Sequence, residues 1–442
     1  MSFLRESGAV LFYRLVLVAV ILLTEVLLAR VLGPAGRGYV AIFTITPVLI
    51  AVVAGCGLDY ALNYFGHLDN GSVGSTFRRA LGAGLAVALG SSALLATDPG
   101  GVLSQLYSGV PEAYGTVERI SLALVPAEVF FALSSMLAMT VGRPVLYGKM
   151  RLLRRSGALV AVVVAALLLS RNVRLAIVLV IAGQIAATAL AGGVPLVIPR
   201  KGSNPRRPQP PSRRIGYGAL LRYGFRSLPA RLAERLQSRI DIVLLGLLST
   251  GSVVGVYSVA AGLAETLFYV SGSLSAVLFA RSAEQESEIH VLTLRVMIPF
   301  GIGAALILGG SATLLVPLVF GQAFAHAVTL LWILLPGTIA FSLVQITSPY
   351  FVQRGLSGVV SLANGIGVIC NIALNLVLIP KFHGVGAAIA SAVSYGVTGA
   401  WVIFRMASVE GGPPERVLVV KRSDLLRVWR AVRREAVRWK EQ

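Results

Sequence analysis

The chain has 442 residues, 56% of them hydrophobic and only 13% charged, against roughly 25% charged in ordinary soluble domains; that much apolar surface excludes a single aqueous core. The formal charge of +20, from 39 Lys and Arg against 19 Asp and Glu, would point to nucleic acid in a soluble protein. Among recurrent apolar runs it points instead to basic cytoplasmic loops facing anionic membrane lipids, with no nucleic-acid partner.

Runs of about twenty apolar residues cross a hydrocarbon layer of roughly 30 Å. In chain order they predict spans at 9–32, 38–64, 77–97, 118–141, 156–170, 174–198, 218–248, 253–280, 291–317, 324–352, 357–379 and 384–405. The first run, "AVLFYRLVLVAVILLTEVLLARVLG", is too long for a secretory h-region and lacks a small-residue cleavage site, so it is expected to remain as the first span. The fifth, 156–170, is short unless it borrows from the segment before it. Between spans six and seven, "PRKGSNPRRPQPPSRRIGYG" is rich in Pro and Arg and has no apolar periodicity, the mark of a linker. The tail "RSDLLRVWRAVRREAVRWKEQ" spaces Leu425, Trp429, Val432, Ala436 and Trp439 as an interfacial amphipathic helix, with Ser423 or Asp424 as N-cap. The expected organisation is an all-α polytopic membrane protein of about twelve transmembrane helices. It divides into an N-terminal six-helix lobe (1–198), a basic Pro-rich cytoplasmic linker (199–217), a C-terminal six-helix lobe (218–408) and a basic amphipathic cytoplasmic tail (409–442).

Orientation follows from the basic residues. With the N-terminus inside, the inner loops hold Arg78 and Arg79, the Arg143 to Arg155 cluster, the linker, Arg281, Arg354 and the tail. The outer loops then hold only Arg30, Arg37, Arg171, Arg174 and Lys381. Both termini are therefore expected in the cytoplasm. The longest outer loop, about 98 to 117, leaves no room for an external catalytic domain. A shift of 217 residues lays the segment from Leu11 over the segment from Leu228. It matches Arg14-Leu15 with Arg231-Leu232, Leu27-Leu28 with Leu244-Leu245, and Gly38 with Gly255. That weak repeat agrees with the six-and-six division, and repeat-built transporters place their substrate between the halves.

The seventh span opens with "RLAERLQSRIDIVLLG". At 100° per residue Arg231, Glu234, Arg235, Gln237, Ser238, Arg239 and Asp241 sweep one arc of about 200°, with apolar residues filling the rest. Charges at mid-membrane cost at least roughly 2.5 to 3.5 kcal/mol each, so this arc should face a cavity or a partner. Arg235 and Arg239, like charges one turn apart, need an anion or a carboxylate between them. Arg222, Arg226 and Arg231 fit equally well as headgroup anchors. On the first span Arg14 and Glu25 share one face. Asp59, Glu128 and Glu265 are isolated carboxylates in apolar runs, open to structural pairing or to proton or cation coupling. Asn364, Asn371 and Asn375 suit interhelical hydrogen bonds.

Other chemistry is missing. There is no phosphate-binding G-x-x-x-x-G-K-[ST] loop. His67, His290, His326 and His383 lack metal-ligand spacing, and Cys56 and Cys370 lie far apart, so neither a metal site nor a disulfide is expected. No cofactor and no enzymatic activity are expected.

Four segments carry a family likeness: "ARVLGPAGRGYVAIFTI", "SRIDIVLLGLLSTGSVVGVYSVAAGLAE", "LVFGQAFAHAVTLLWILLPG" and "NIALNLVLIPKFHGVGAAIASAVSY". In order and spacing, over residues 5 to 405, the chain resembles polysaccharide-export flippases of the multidrug, oligosaccharidyl-lipid and polysaccharide flippase superfamily. The resemblance implies two six-helix bundles around a central cavity, alternating access, and a glycan on a polyprenyl pyrophosphate as substrate, carried across the cell membrane. It also implies that cations on the first and seventh spans meet the pyrophosphate, here Arg14, Arg231, Arg235 and Arg239; guanidinium groups bind phosphate oxygens bidentately. Glu25, Asp59, Glu234, Asp241 and Glu265 are the candidates for ion coupling or for lining the cavity. Other polysaccharide-assembly membrane proteins are candidate partners. The alternatives are a multidrug and toxin extrusion antiporter, which would favour an acidic, aromatic cavity, and a lipid II flippase, a family with two further spans. A glycan polymerase or ligase would need the outer loop or catalytic cluster that is missing.

Overall fold

The computed structural model describes residues 2–68, 73–169, 172–197, 215–269, 271–272 and 287–419, and among them every regular element is helical. The basic linker before Ile215 and the predicted amphipathic helix at 422–442 lie outside the described residues. The main helices are α1 (Ser2–Ala54), α2 (Leu58–Leu68), α3 (Val73–Ala96), α4 (Val102–Leu106), α5 (Gly115–Ser121), α6 (Leu124–Thr140), α7 (Pro144–Leu169) and α8 (Val173–Val197). They continue with α9 (Tyr217–Leu248), α10 (Gly251–Ala264), α11 (Ser287–Phe320), α12 (Ala327–Gln353), α13 (Ser357–Val409) and α14 (Pro414–Leu418).

Nine helical segments among the described residues are long and apolar enough to cross a membrane. Two of them contain a chain reversal. In α1 the break is Gly33, at φ 66° and ψ −177°, a conformation that glycine alone adopts without strain. Pro34 then opens the second arm, where its missing N–H costs nothing. Glu25 and Arg37 form an ion pair across the break; on an unbroken helix twelve residues would separate them by about 18 Å. In α13 the break is His383, at φ 49°. Beyond it Asn371 Nδ2 reaches Ser391 Oγ at 3.3 Å and Ser394 Oγ at 3.1 Å, contacts that only a reversal allows. Counting both arms of each, and adding α9 with its many charges, gives about twelve spans.

Four predicted spans differ: 253–280 is interrupted by a turn at Glu265 after Gly251–Ala264, and its residues 270 and 273–280 lie outside the described residues, while three others differ in shape. Span 38–64 bends at Cys56 and Gly57, both with positive φ, so its second half is the separate helix α2. Span 118–141 is α5 and α6, joined through Leu122 and Ala123. Span 156–170 does borrow from the preceding segment, because α7 starts at Pro144. In the loop before α4, Ser104 and the Leu103 amide donate to Asp98, and these bonds hold its carboxyl below the usual carboxylate range.

Close packing divides the chain into two compact units, Met1–Ser258 with Val319–Phe324, and Val259–Leu318 with Ala325–Gln442. In the first, Leu58, Leu62, Phe77, Val125, Leu133 and Leu220 pack together from α2, α3, α6 and α9. Helix α9, where the predicted C-terminal lobe starts, packs here against α1 and α2. In the second, Leu294, Phe341, Tyr350, Tyr395 and Met406 form a core closed by Val417 of α14. Gly337 abuts the backbone of Ala392 and Gly399 the carbonyl of Ala340, the small-residue contact that lets membrane helices approach closely.

The tightest contact in the first unit joins α1 to α10. A methyl group on Gly38 would strike the Gly251 carbonyl and crowd the Gly255 amide; one on Gly255 would strike the Pro34 carbonyl and crowd the Gly38 amide. The 217-residue shift relates Gly38 to Gly255 and Pro34 to Gly251, so the repeat meets itself through equivalent positions. The break at Gly33 likewise corresponds to the break at Thr250. Gly38→Ala is expected to destabilise the protein by about 1–3 kcal/mol through backbone overpacking, read as a lower thermal midpoint in detergent. Gly82→Ala, with nothing within 4 Å of the added carbon, should leave the midpoint unchanged or raise it.

Candidate functional site

The bend at Cys56 and Gly57 aims α2 across α9. Gly57 lies against the carbonyl of Gly224, and Gly224 against that of Cys56, so the two backbones touch where they cross. From that crossing α2 sends Leu58, Ala61 and Leu62 into the core and leaves Asp59, Tyr60 and Tyr64 on its other side. Asp59 forms an ion pair with Arg231 of α9; their side chains are 8% and 16% exposed. The Arg231 guanidinium also lies over the Tyr60 ring, 5.4 Å from its centre, a favourable cation–π position. The charges of Glu234, Arg231, Asp59 and Arg235 all act on the Tyr60 hydroxyl. Asp59 and Arg231 thus meet beside one tyrosine, and Glu234 and Arg235 follow within about one turn of Arg231 along α9.

Glu234 and Arg235 are exposed, while Arg239, one turn beyond, is half-buried. Among the described residues Arg235 makes no ion pair. An anion entering beside α9 would meet Arg235 first, with Arg231 behind it already held by Asp59 and Tyr60. Arginines one turn apart stand about 5–6 Å from each other at Cβ, so Arg235 and Arg239 can address neighbouring anionic groups of one ligand.

The remaining predicted residues lie elsewhere. Asp241 is buried at one edge of the polar arc, where it accepts a hydrogen bond from Tyr257 of α10. Glu25 pairs with Arg37 across the Gly33 reversal. Glu265 sits in the other unit, at the turn that ends α10. The Arg14 side chain lies outside the described residues. Glu128 pairs with Arg154, whose guanidinium lies 4.9 Å over the Phe131 ring. Asn375 donates to Asn371 at 2.7 Å within the first arm of α13. Among the described residues no three His, Cys, Asp or Glu are grouped to hold a metal ion.

Sequence reasoning missed Tyr60, Tyr257, Arg37 and Arg154 as partners. For Tyr60 a signal existed: in "LDYALNYFGHL" polar and aromatic residues recur at helical spacing opposite Leu58, Leu62 and Phe65. For Arg37 the signal was Gly33-Pro34, a tight reversal that returns the next turn toward Glu25.

Removing one member of a buried ion pair strands its partner, a loss of about 3–5 kcal/mol. Asp59→Ala is therefore expected to lower the thermal midpoint strongly. The double variant Asp59→Ala with Arg231→Ala should lose less than the two single losses added together, a coupling that a double-mutant cycle measures.

The profile of a family described as polysaccharide biosynthesis protein matches residues 27–329. No curated protein matches the chain significantly by sequence. Among solved structures it is similar to the lipid II flippase MurJ in an inward closed conformation, with a TM-score of 0.75 and 12% identity over 94% of this chain and 89% of that one. It is also similar to an inward-facing multidrug resistance MATE family transporter of the MOP superfamily, with a TM-score of 0.68 and 15% identity over 92% and 99%. A MATE transporter from Vibrio cholerae aligns with a TM-score of 0.56 and 13% identity over 92% and 95%. The fold is that of multi-pass α-helical transporters, and the chain belongs to the polysaccharide biosynthesis protein family.

Proposed function

We propose that the protein carries a glycan on polyprenyl pyrophosphate from the cytoplasmic to the outer leaflet of the cell membrane, by alternating access between two six-helix lobes, 1–198 and 218–408. The observation that carries this reading is the arginine group on α9. Arg231 is largely buried and paired with Asp59, and the exposed Arg235 and half-buried Arg239 continue one polar helix face in a chain of a polysaccharide family. Embedded cations of this kind line a path for an anion, and the pyrophosphate is the one strongly anionic part of such a substrate. Arginine keeps its charge throughout the cycle.

In this mechanism Asp59 holds Arg231 when no substrate is present, so that no unpaired cation is left buried. A pyrophosphate oxygen then takes the place of the carboxylate. Both termini lie in the cytoplasm, where the basic loops, linker and tail face anionic lipid, and other polysaccharide-assembly membrane proteins are the expected partners. Glu25 and Glu265 remain candidates for ion coupling.

A MATE-type antiporter for organic cations is the second reading, supported by the shared fold; an arginine-lined face repels such cations. A lipid II flippase is the third, on the fold of MurJ.

Arg235→Ala and Arg239→Ala are each expected to abolish surface glycan while leaving the protein at its normal level in the membrane. Normal glycan export in both variants would sink the anion path. Flipping measured in proteoliposomes should stop when a proton gradient is collapsed and continue without sodium if a carboxylate couples it to protons.

A further inference from the structure

The aromatic residues beside the arginines are not used by the transport reading. On α2, Tyr60 and Tyr64 stand one turn apart, 40% and 47% exposed. From α9, Tyr223 stacks on Tyr64, with ring centres 4.5 Å apart and planes 14° from parallel. Phe65, half-buried toward the core, supports this pair edge-on, 5.6 Å from Tyr223. The opposite face of α2 is fully packed, so the orientation of these rings is fixed by the core.

Exposed tyrosines in a membrane protein commonly form a belt at the lipid interface. The surroundings of Tyr60 argue against that role here. Its ring carries the Arg231 guanidinium and its hydroxyl lies in the field of Asp59, Glu234 and Arg235. Ionised groups in that number do not face hydrocarbon, so the stripe looks onto an aqueous space. On α9 Arg231 meets Asp59 and Tyr223, eight residues earlier, meets Tyr64. The rings therefore extend from the arginines toward the start of α9, a distance on the order of 12 Å along the helix.

We propose that Tyr60, Tyr64 and Tyr223 form a ledge on which the sugar rings next to the pyrophosphate stack. The C–H face of a pyranose carries slight positive charge and is apolar, and it matches the negative face of an aromatic ring. The hydroxyls around the sugar's edge then stay in water. Such a ledge selects for the presence of sugar rather than for one sugar, because it reads a ring face and not a pattern of hydroxyls. The assignment rests on the transport reading above, which puts the pyrophosphate at Arg235.

The test uses the full-length protein in nanodiscs and two probes, bare polyprenyl pyrophosphate and the same lipid carrying a hexose disaccharide, with equilibrium binding as the readout. Tyr64→Leu is expected to weaken the glycosylated probe about tenfold and leave the bare probe unchanged, while Tyr64→Phe, which keeps the ring, binds both like the parent. Thermal midpoints of both variants verify that each is folded. Equal loss of both probes, or loss of neither, in folded Tyr64→Leu overturns the ledge. Arg235→Ala serves as the separate control: loss of both probes supports the anion site, and unchanged binding of both overturns the transport reading itself.

Discussion

A charge placed in hydrocarbon must be paired or wetted, and the first unit is organised around one charge that is paired. Arg231 is neutralised by Asp59 and covered by Tyr60. Both partners come from a helix that starts only after the chain bends at Cys56 and Gly57. Without that bend the second span would run straight and Asp59 would point elsewhere. The bend is tolerable because Gly57 and Gly224 let the two backbones touch, so helix crossing, ion pair and arginine face are consequences of one another.

The same rule accounts for the other embedded carboxylates. Glu25 meets Arg37, Glu128 meets Arg154 and Asp241 meets Tyr257. Each partner comes from another helix or helix arm, so each pair also fastens two helices together. Backbone groups inside a bilayer must find partners within the protein, and these three carboxylates do likewise. The Asn371, Asn375, Ser391 and Ser394 group does for the two arms of α13 what the ion pairs do in the first unit. Small residues supply the complementary half. Where glycines face each other, at Gly38 and Gly255, the helices approach closely enough for extensive van der Waals contact.

Much of this was legible in the chain. Apolar runs located most of the spans to within a few residues, and the charge arc of 231 to 241 marked the helix that carries the candidate site. The repeat match of Gly38 with Gly255 looked weak among Leu-rich segments, where chance matches are common. Packing gives it weight, because the matched positions touch each other. What was not legible was pairing. Asp59 and Arg231 are 172 residues apart, and no periodicity in one segment reports the position of another.

The sequence by itself determined the class: length, apolar runs and basic loops allow a helical membrane protein and little else, because only helices and closed barrels satisfy the backbone in lipid. It also determined which helix carries cations, since that follows from spacing along one segment. Only the tertiary structure decided which charges are neutralised and which stay exposed. Arg231 and Arg235 are four residues apart with the same chemistry, and they differ because α2 delivers a carboxylate to one and not to the other.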